Sequence, residues 1–331
     1  MQKKEKILII HLYGLGDWIY FTPTLKAIRD YYPDSEIHVL NCSKHITELI
    51  ELYPEVDEVY YFKNKPRYSF LFNRIFLTYK NRYSIILFSY PADQKSEFVL
   101  RFMRGEKKIL YTYADKIFST KLYFKPNFHS NLHYVEECFK ILDFLSIPKP
   151  KQPTIFIPLT QEYYIKNSVI IHPGNDAANA YKRYPAERFA EITDELLKKG
   201  INVSVILGPQ ELDLESYFTS LFKLSNFNIY KNLSIKDTIK IISNYELLLA
   251  SDSGLTHIAA ALGRKVVTIF GPGNPKRNAP YSDKTLIIKT DLTLECMPCT
   301  YPGGKRGCDD RPCLASIKPS FVLEKTLDFL K

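Results

Sequence analysis

Three observations predict an α/β fold with two parallel sheets. Short apolar runs of strand length alternate with helix-patterned segments from residue 6 onward. Sustained alternation of this kind builds parallel sheets covered by helices on both faces. The alternation stops at Pro148-Lys149-Pro150-Lys151-Gln152-Pro153, where three prolines in six residues exclude helix, and then restarts. Each half also carries a small-residue turn between a strand and a helix, where open α/β sheets bind their ligands. The 331 residues suffice for two domains of ordinary size.

In the first half, residues 6–11 (KILIIH) read as a strand and 18–31 as a helix, with Ile19, Leu25 and Ile28 at helical spacing. Pro23 falls in an early turn of that helix, where proline is better tolerated than in the middle. Strands follow at 36–40, 58–62, 84–88 and 108–111, and helices at 44–53, 67–79 and 94–103. Residues 131–145 repeat apolar positions every three or four residues, as a helix with one buried face does. After the prolines come strands at 168–172 and 202–207, and helices at 185–199, 211–222 and 234–243. The stretch 246–272 then reads strand, turn, helix (256–262) and strand (266–270). A last helix covers 319–331. The expected domains are 1–150 and 151–315, both Rossmann-like and facing each other across a cleft, with 316–331 as a terminal helix.

No run of 18 apolar residues exists, which argues against a membrane-spanning helix. The N-terminus reaches Gly14 and Asp17 too early for a secretory leader, so a cytoplasmic location is expected. The formal net charge of +9 suits an anionic partner or simple solubility. No nucleic-acid module is recognisable, so nucleic acid is not an expected partner. Residues 67–88 mix arginines with aromatics. They suit either an anionic inner-membrane surface, contacted peripherally, or a core-facing helix with a basic outer side, which is the favoured reading.

Four motifs can carry chemistry. Gly14-Leu15-Gly16-Asp17 joins the first strand to the first helix, and its glycines allow a ligand close to the backbone. The third glycine of a dinucleotide fingerprint is absent, which argues against a dehydrogenase. Asp17 is either a general base kept ionised by the helix dipole or a capping residue. In the second half, Ile171-His172-Pro173-Gly174 precedes Lys182 and Arg183. The two cations either neutralise a diphosphate or are solvated in a loop, and His172 reads as structural. Asp252-Ser253-Gly254 ends a strand and opens a helix bearing His257 on its first turn. That is either an anion site or an ordinary capped turn.

The fourth motif is Cys296, Cys299, Cys308 and Cys313, with gaps of two, eight and four residues. Four thiolates so spaced suit one structural zinc or iron ion, and the alternative is reduced thiols or a disulfide in a loop. Cys42 and Cys138 read as core residues.

Three segments taken together, GLGDWIYFTPTLKAIRDYYP, IHPG with KRYPAERFAEI, and SDSGLTHIAAALGRKVVTIFGP, resemble glycosyltransferase family 9, the heptosyltransferases. The cysteine-bearing tail is also similar to that of autotransporter heptosyltransferases, whose cysteines hold iron. The resemblance implies a GT-B fold, no catalytic cofactor, and inverting transfer of heptose from an ADP-sugar donor to a glycan or glycolipid acceptor such as lipopolysaccharide core. It implies Asp17 as base on the acceptor and Lys182 on the diphosphate. Asp252 would contact the donor sugar, Ser253 and Gly254 the phosphates, and His257 and Glu211 the donor nucleotide, with Gly14, Gly16 and Arg183 completing the donor set. It further implies that the terminal helix packs back on the first domain and that acceptor contacts lie within residues 65–130. Competing readings are transfer of another nucleotide sugar or to a protein acceptor, a non-catalytic nucleotide-sugar-binding protein, and an epimerase.

Overall fold

Isoleucine, leucine and valine runs make the strands, because a parallel sheet is covered on both faces and needs apolar side chains on both. The computed structural model describes residues 5–63, 75, 77–89, 100–111, 122–124, 132–159, 163–175, 177–223, 227–299, 308 and 310–331. Most of the helices expected at 67–79 and 94–103, and much of the expected acceptor region, lie outside the described residues. The chain divides into two units, Met1–Pro158 and Leu159–Lys331.

The first unit contains β1 (Lys6–Ile10), α1 (Leu15–Tyr31), β2 (Glu36–Asn41), α2 (Lys44–Ile50), β3 (Glu58–Tyr61), β4 (Tyr83–Phe88), β5 (Gly105–Tyr111), β6 (Leu122–Phe124) and α3 (Tyr134–Leu145). Its strands are all parallel, in the order β3-β2-β1-β4-β5-β6. Pro23 sits well inside α1, beyond the early turn expected for it. Proline cannot donate the backbone bond due to Ile19. The Thr22 hydroxyl donates to the Ile19 carbonyl instead, at 2.8 Å.

The proline-rich segment belongs to this unit. Ile155 and Ile157 are buried. The Phe156 N–H donates to Thr22 Oγ1 at 3.3 Å, and its carbonyl accepts from the Tyr53 hydroxyl at 2.6 Å. Prolines forbid helix and ladder pairing, but they permit an extended segment to dock through the apolar residues that follow. The boundary therefore falls after Pro158 and not after Pro150.

The second unit contains β7 (Ile165–His172), α4 (Ala186–Lys198), β8 (Asn202–Leu207), β9 (Phe227–Lys231), α5 (Ile235–Ser243), β10 (Tyr245–Ser251), α6 (Gly254–Ala261), β11 (Lys265–Phe270), β12 (Thr285–Lys289) and α7 (Pro319–Leu330). Tighter 3-10 turns cover Ala177–Lys182 and Leu212–Lys223, the latter where an α-helix was expected. Its six strands, also parallel, run β9-β8-β7-β10-β11-β12. In both sheets the first strand of the unit is central and its two neighbours continue in opposite directions. The switch points are β1/β4 and β7/β10.

Helix α7 is built into the second unit's core. Val322 and Leu330 share one buried cluster with Phe189 and Leu196 of α4 and Ile269 of β11. Lys265 Nζ donates to the Leu330 carbonyl at 2.7 Å. The apolar face of α7 is taken up by its own unit. Among the described residues no helix is long and apolar enough to cross a membrane.

Docking of residues 155–157 predicts that Tyr53→Phe lowers the unfolding free energy by about 1–2 kcal/mol, because a buried carbonyl loses its donor. Denaturant titration checks this, and an unchanged midpoint would mean that the segment is not held there.

Candidate active site

The second unit gathers its polar residues at the switch point between β7 and β10. Beyond the end of β10, Asp252 and Ser253 are buried. Asp252 Oδ2 lies 3.0 Å from Lys182 Nζ, and both side chains are largely withdrawn from solvent. Oδ2 makes no aligned hydrogen bond, so the contact holds by charge. Asn175, past the end of β7, bridges the two strands: its Nδ2 donates to the Asp252 carbonyl at 2.6 Å. Gly273 lets the carboxylate lie close to the backbone, since a Cβ there would stand 2.7 Å from Asp252 Oδ2.

Ser253 is the N-cap of α6, yet its side chain caps nothing. Its Oγ is buried with no hydrogen-bond partner among the described residues. An ordinary capping serine would bond an N–H of the first turn. This hydroxyl is instead left with unmet capacity at the helix end that favours anions. His257 is buried on the same first turn.

Glu211 forms the neighbouring wall. Its Oε2 accepts from the Gly208 N–H at 2.7 Å. Its Oε1 lies 3.6 Å from His172 Nε2, an ion pair only when that imidazole is protonated. His172 Nδ1 faces the Ile206 carbonyl at 3.1 Å, consistent with a structural role. Gly174 is required here, because a Cβ would meet the Glu211 carboxylate at 2.1 Å. Arg183 departs from the diphosphate role suggested for it. Its Nε and Nη2 donate to the Asn175 carbonyl, and Nη2 also reaches the Gln210 carbonyl at 3.3 Å. It holds the Asn175 and Gln210 loops together, which leaves Lys182 as the cation of this motif facing Asp252.

In the first unit the β1/β4 switch point carries Gly14, Gly16 and Asp17. Gly14 is the N-cap of α1, and its N–H donates to Asp17 Oδ2 at 2.9 Å. The half-buried Asp17 thus caps the helix through one oxygen. That does not preclude base chemistry, since a carboxylate offers about four acceptor sites. Behind the turn is His11, fully buried at the end of β1. Burial lowers its pKa to about 4, only partly offset by a backbone bond to Gly14. Its Nδ1 lies 2.7 Å from Ser89 Oγ and its Nε2 3.2 Å from the Gly14 carbonyl.

The cysteines lie together. Cys296, Cys299, Cys308 and Cys313 do converge, lining one cavity of about 40 Å³. Burial raises Cys299 to about 11. None of the six cysteines is in a disulfide. Among the described residues, however, no group of three or more His, Cys, Asp or Glu side chains could hold a metal ion. Spacing brings the thiols to one place, and the described residues give no support for the metal suggested by the pattern.

Sequence reasoning missed Asn175, Ser89 and His11 as site residues. Applying the strand-end rule to β4 and β7 as well as to β1 and β10 would have singled out Ser89 and Asn175. For His11 the signal was a lone imidazole ending an otherwise apolar strand.

Comparison with known proteins fixes the class. Residues 79–304 match the model for glycosyltransferase family 9 (heptosyltransferase), and the chain belongs to that family of enzymes. Among its relatives is lipopolysaccharide heptosyltransferase 1 of Campylobacter coli, 25% identical over 309 residues that span 86% of this chain and 89% of the relative. The fold matches the glycosyltransferase family 9 protein of Veillonella parvula, with TM-score 0.79 and 18% identity, over 100% of this chain and 98% of the other. It also matches E. coli ADP-heptose lps heptosyltransferase II, with TM-score 0.76 and 19% identity, over 98% of both chains. The two parallel α/β units are thus those of the GT-B fold.

The lowered pKa of His11 gives a pH prediction. The unfolded chain protonates this residue near 6.5 and the folded chain only near 4. The unfolded state therefore binds the extra proton as pH falls between those values, and stability is lost in that window. The loss should be on the order of 3 kcal/mol from this group. Unfolding titrations from pH 7 to 4 should show a shallower decline for His11→Gln than for the native chain, and parallel curves would contradict the assignment.

Proposed function

We propose that this enzyme transfers a heptosyl group from ADP-heptose to a hydroxyl of a lipopolysaccharide-core acceptor, with inversion at the anomeric carbon. The observation that carries the reading is the Lys182–Asp252 pair, 3.0 Å apart, beside the partnerless Ser253 hydroxyl at the start of α6. The Campylobacter relative, matched over most of both chains, supports heptose as the sugar and lipopolysaccharide as the acceptor. The E. coli structure of the same fold supports the ADP-activated donor.

In this reading the second unit holds the donor. Lys182 faces the diphosphate, Ser253 Oγ and the Gly254 backbone take phosphate oxygens, and the α6 dipole favours the same anion. Charge on the leaving ADP grows in the transition state, where a fixed cation and helix end stabilise it most. As the diphosphate engages Lys182, Asp252 becomes available to accept from hydroxyls of the sugar. Glu211 and His257 serve the nucleoside side. The first unit supplies the base: Asp17 takes the proton from the acceptor hydroxyl as its oxygen attacks the face opposite ADP. One base, one cation and a helix end complete the displacement, and no catalytic metal is called on. An acceptor borne by a lipid would be met at a membrane surface, and the net charge of +9 supports peripheral attraction to anionic headgroups.

ADP release from ADP-heptose in the presence of a lipopolysaccharide-core acceptor tests the reading. Asp17→Asn should lower turnover by about 10²–10⁴-fold, with donor affinity within a few-fold of native. Lys182→Met should weaken donor binding roughly 10- to 100-fold, about 1.4–2.8 kcal/mol. Retained anomeric configuration in the product, or a preference for UDP- or GDP-sugars, would overturn the assignment.

A further inference from the structure

The group behind the acceptor-side turn has no role in the chemistry above. His11 is buried at the β1/β4 switch point and cannot reach a substrate. Its contacts nevertheless lead to Asp17. The peptide groups of Gly14 are engaged on both sides: the N–H holds Asp17 Oδ2 at 2.9 Å, and the carbonyl lies 3.2 Å from His11 Nε2. That carbonyl also accepts from the Trp18 N–H, at a long 3.3 Å. The first intrahelical bond and the imidazole, at similar distances, together hold this carbonyl.

The tautomer follows from chemistry. A carbonyl only accepts, so Nε2 must carry the hydrogen, and in a neutral ring Nδ1 must then accept. The group facing Nδ1 is the Ser89 hydroxyl at 2.7 Å, whose single proton then goes to the ring and not to the Ile10 carbonyl 3.4 Å away. Ser89 is itself fixed, its N–H donating to the Ile10 carbonyl at 3.1 Å and its own carbonyl facing the Cys138 thiol at 3.8 Å. The ring is clamped edge-on to Trp18, with centroids 5.3 Å apart.

We propose that His11, oriented by Ser89, is a positioning residue for the glycosyl transfer: through the Gly14 peptide it fixes where the Asp17 carboxylate stands. This rests on the reading of Asp17 as the general base. A neutral imidazole suits the task. It restrains the turn without placing a cation behind the base, where positive charge would favour the carboxylate and reduce its basicity. A lysine or arginine at the same place would hold the carbonyl equally well and weaken the base.

The test compares His11→Ala, His11→Asn, His11→Gln, Ser89→Ala and Asp17→Asn in the ADP-release assay, with melting temperatures measured alongside. His11→Ala and His11→Asn, which lose the donor to Gly14, should lower kcat about 10- to 100-fold, the scale of an ångström's misplacement of a reacting group. Donor KM should stay near native, because the donor is held by the other unit. His11→Gln places an amide N–H near the position of Nε2 and should recover most of the lost kcat. Ser89→Ala should lower kcat by a smaller factor, through loss of ring orientation. If His11→Ala does not fold, His11→Asn and Ser89→Ala carry the same comparison. Equal kcat for the Gln, Asn and Ala variants, or a parallel change in kcat and donor KM, would overturn the proposal. An inactive Asp17→Asn with native-like His11 variants would sink the positioning role alone. An active Asp17→Asn would sink the base assignment, and the positioning role with it.

Discussion

A parallel sheet in which the chain leaves the central strand in opposite directions cannot cover the gap between the two diverging connections, and both units depend on that constraint. In the second unit the gap lies between β7 and β10, and Asn175 ties the two strand ends together by donating to the Asp252 carbonyl. In the first it lies between β1 and β4, where His11 and Ser89 make the equivalent tie. Each site thus draws residues from the ends of the first and fourth strands of its unit, but the helix-opening turn follows the first strand in one (Gly14 to Asp17) and the fourth in the other (Asp252 to Gly254). Their chemistry differs. One turn presents a carboxylate held by a backbone N–H, and the other presents a cation, a carboxylate and a hydroxyl at a helix end.

The division of polar groups follows from what each turn is asked to restrain. Lys182 and Asp252 neutralise each other while buried, so neither charge is left uncompensated in the absence of ligand. A buried pair of this kind adds little stability in itself, because desolvation offsets much of the attraction. Under the proposed function its value is in placing an ammonium where a diphosphate would meet it. Arg183 shows the converse. Its planar fork suits two carbonyl groups, and it braces the loop that carries its neighbour.

Much of this was legible in the sequence, and the limits are physical. Buried strands such as β1, β4 and β10 are continuous apolar runs, and they read as such. The short strands β6, β9 and β12 were not read. β6 has three residues, and the burial of the other two is broken along their length, so neither a buried run nor a clean alternation marks them. Asp17, Lys182 and Asp252 could be singled out because turn chemistry is local, and the last two stand together. The partners of His11 and Tyr53 could not, since Ser89 and Phe156 lie 78 and 103 residues away. The cysteines meet a related limit. Spacing along the chain says which thiols can meet, and the described geometry decides whether they close around an ion.

The Ser253 hydroxyl has a consequence for how the second unit evolves. A buried hydroxyl with no partner carries a desolvation penalty of about 1–3 kcal/mol in the unliganded fold. Selection for robustness alone would replace it with alanine. With serine in place, the ligand-free protein lies below the firmest packing its backbone allows. The same strain would be relieved each time an anion arrives, so occupancy and ruggedness would rise together in this half of the molecule.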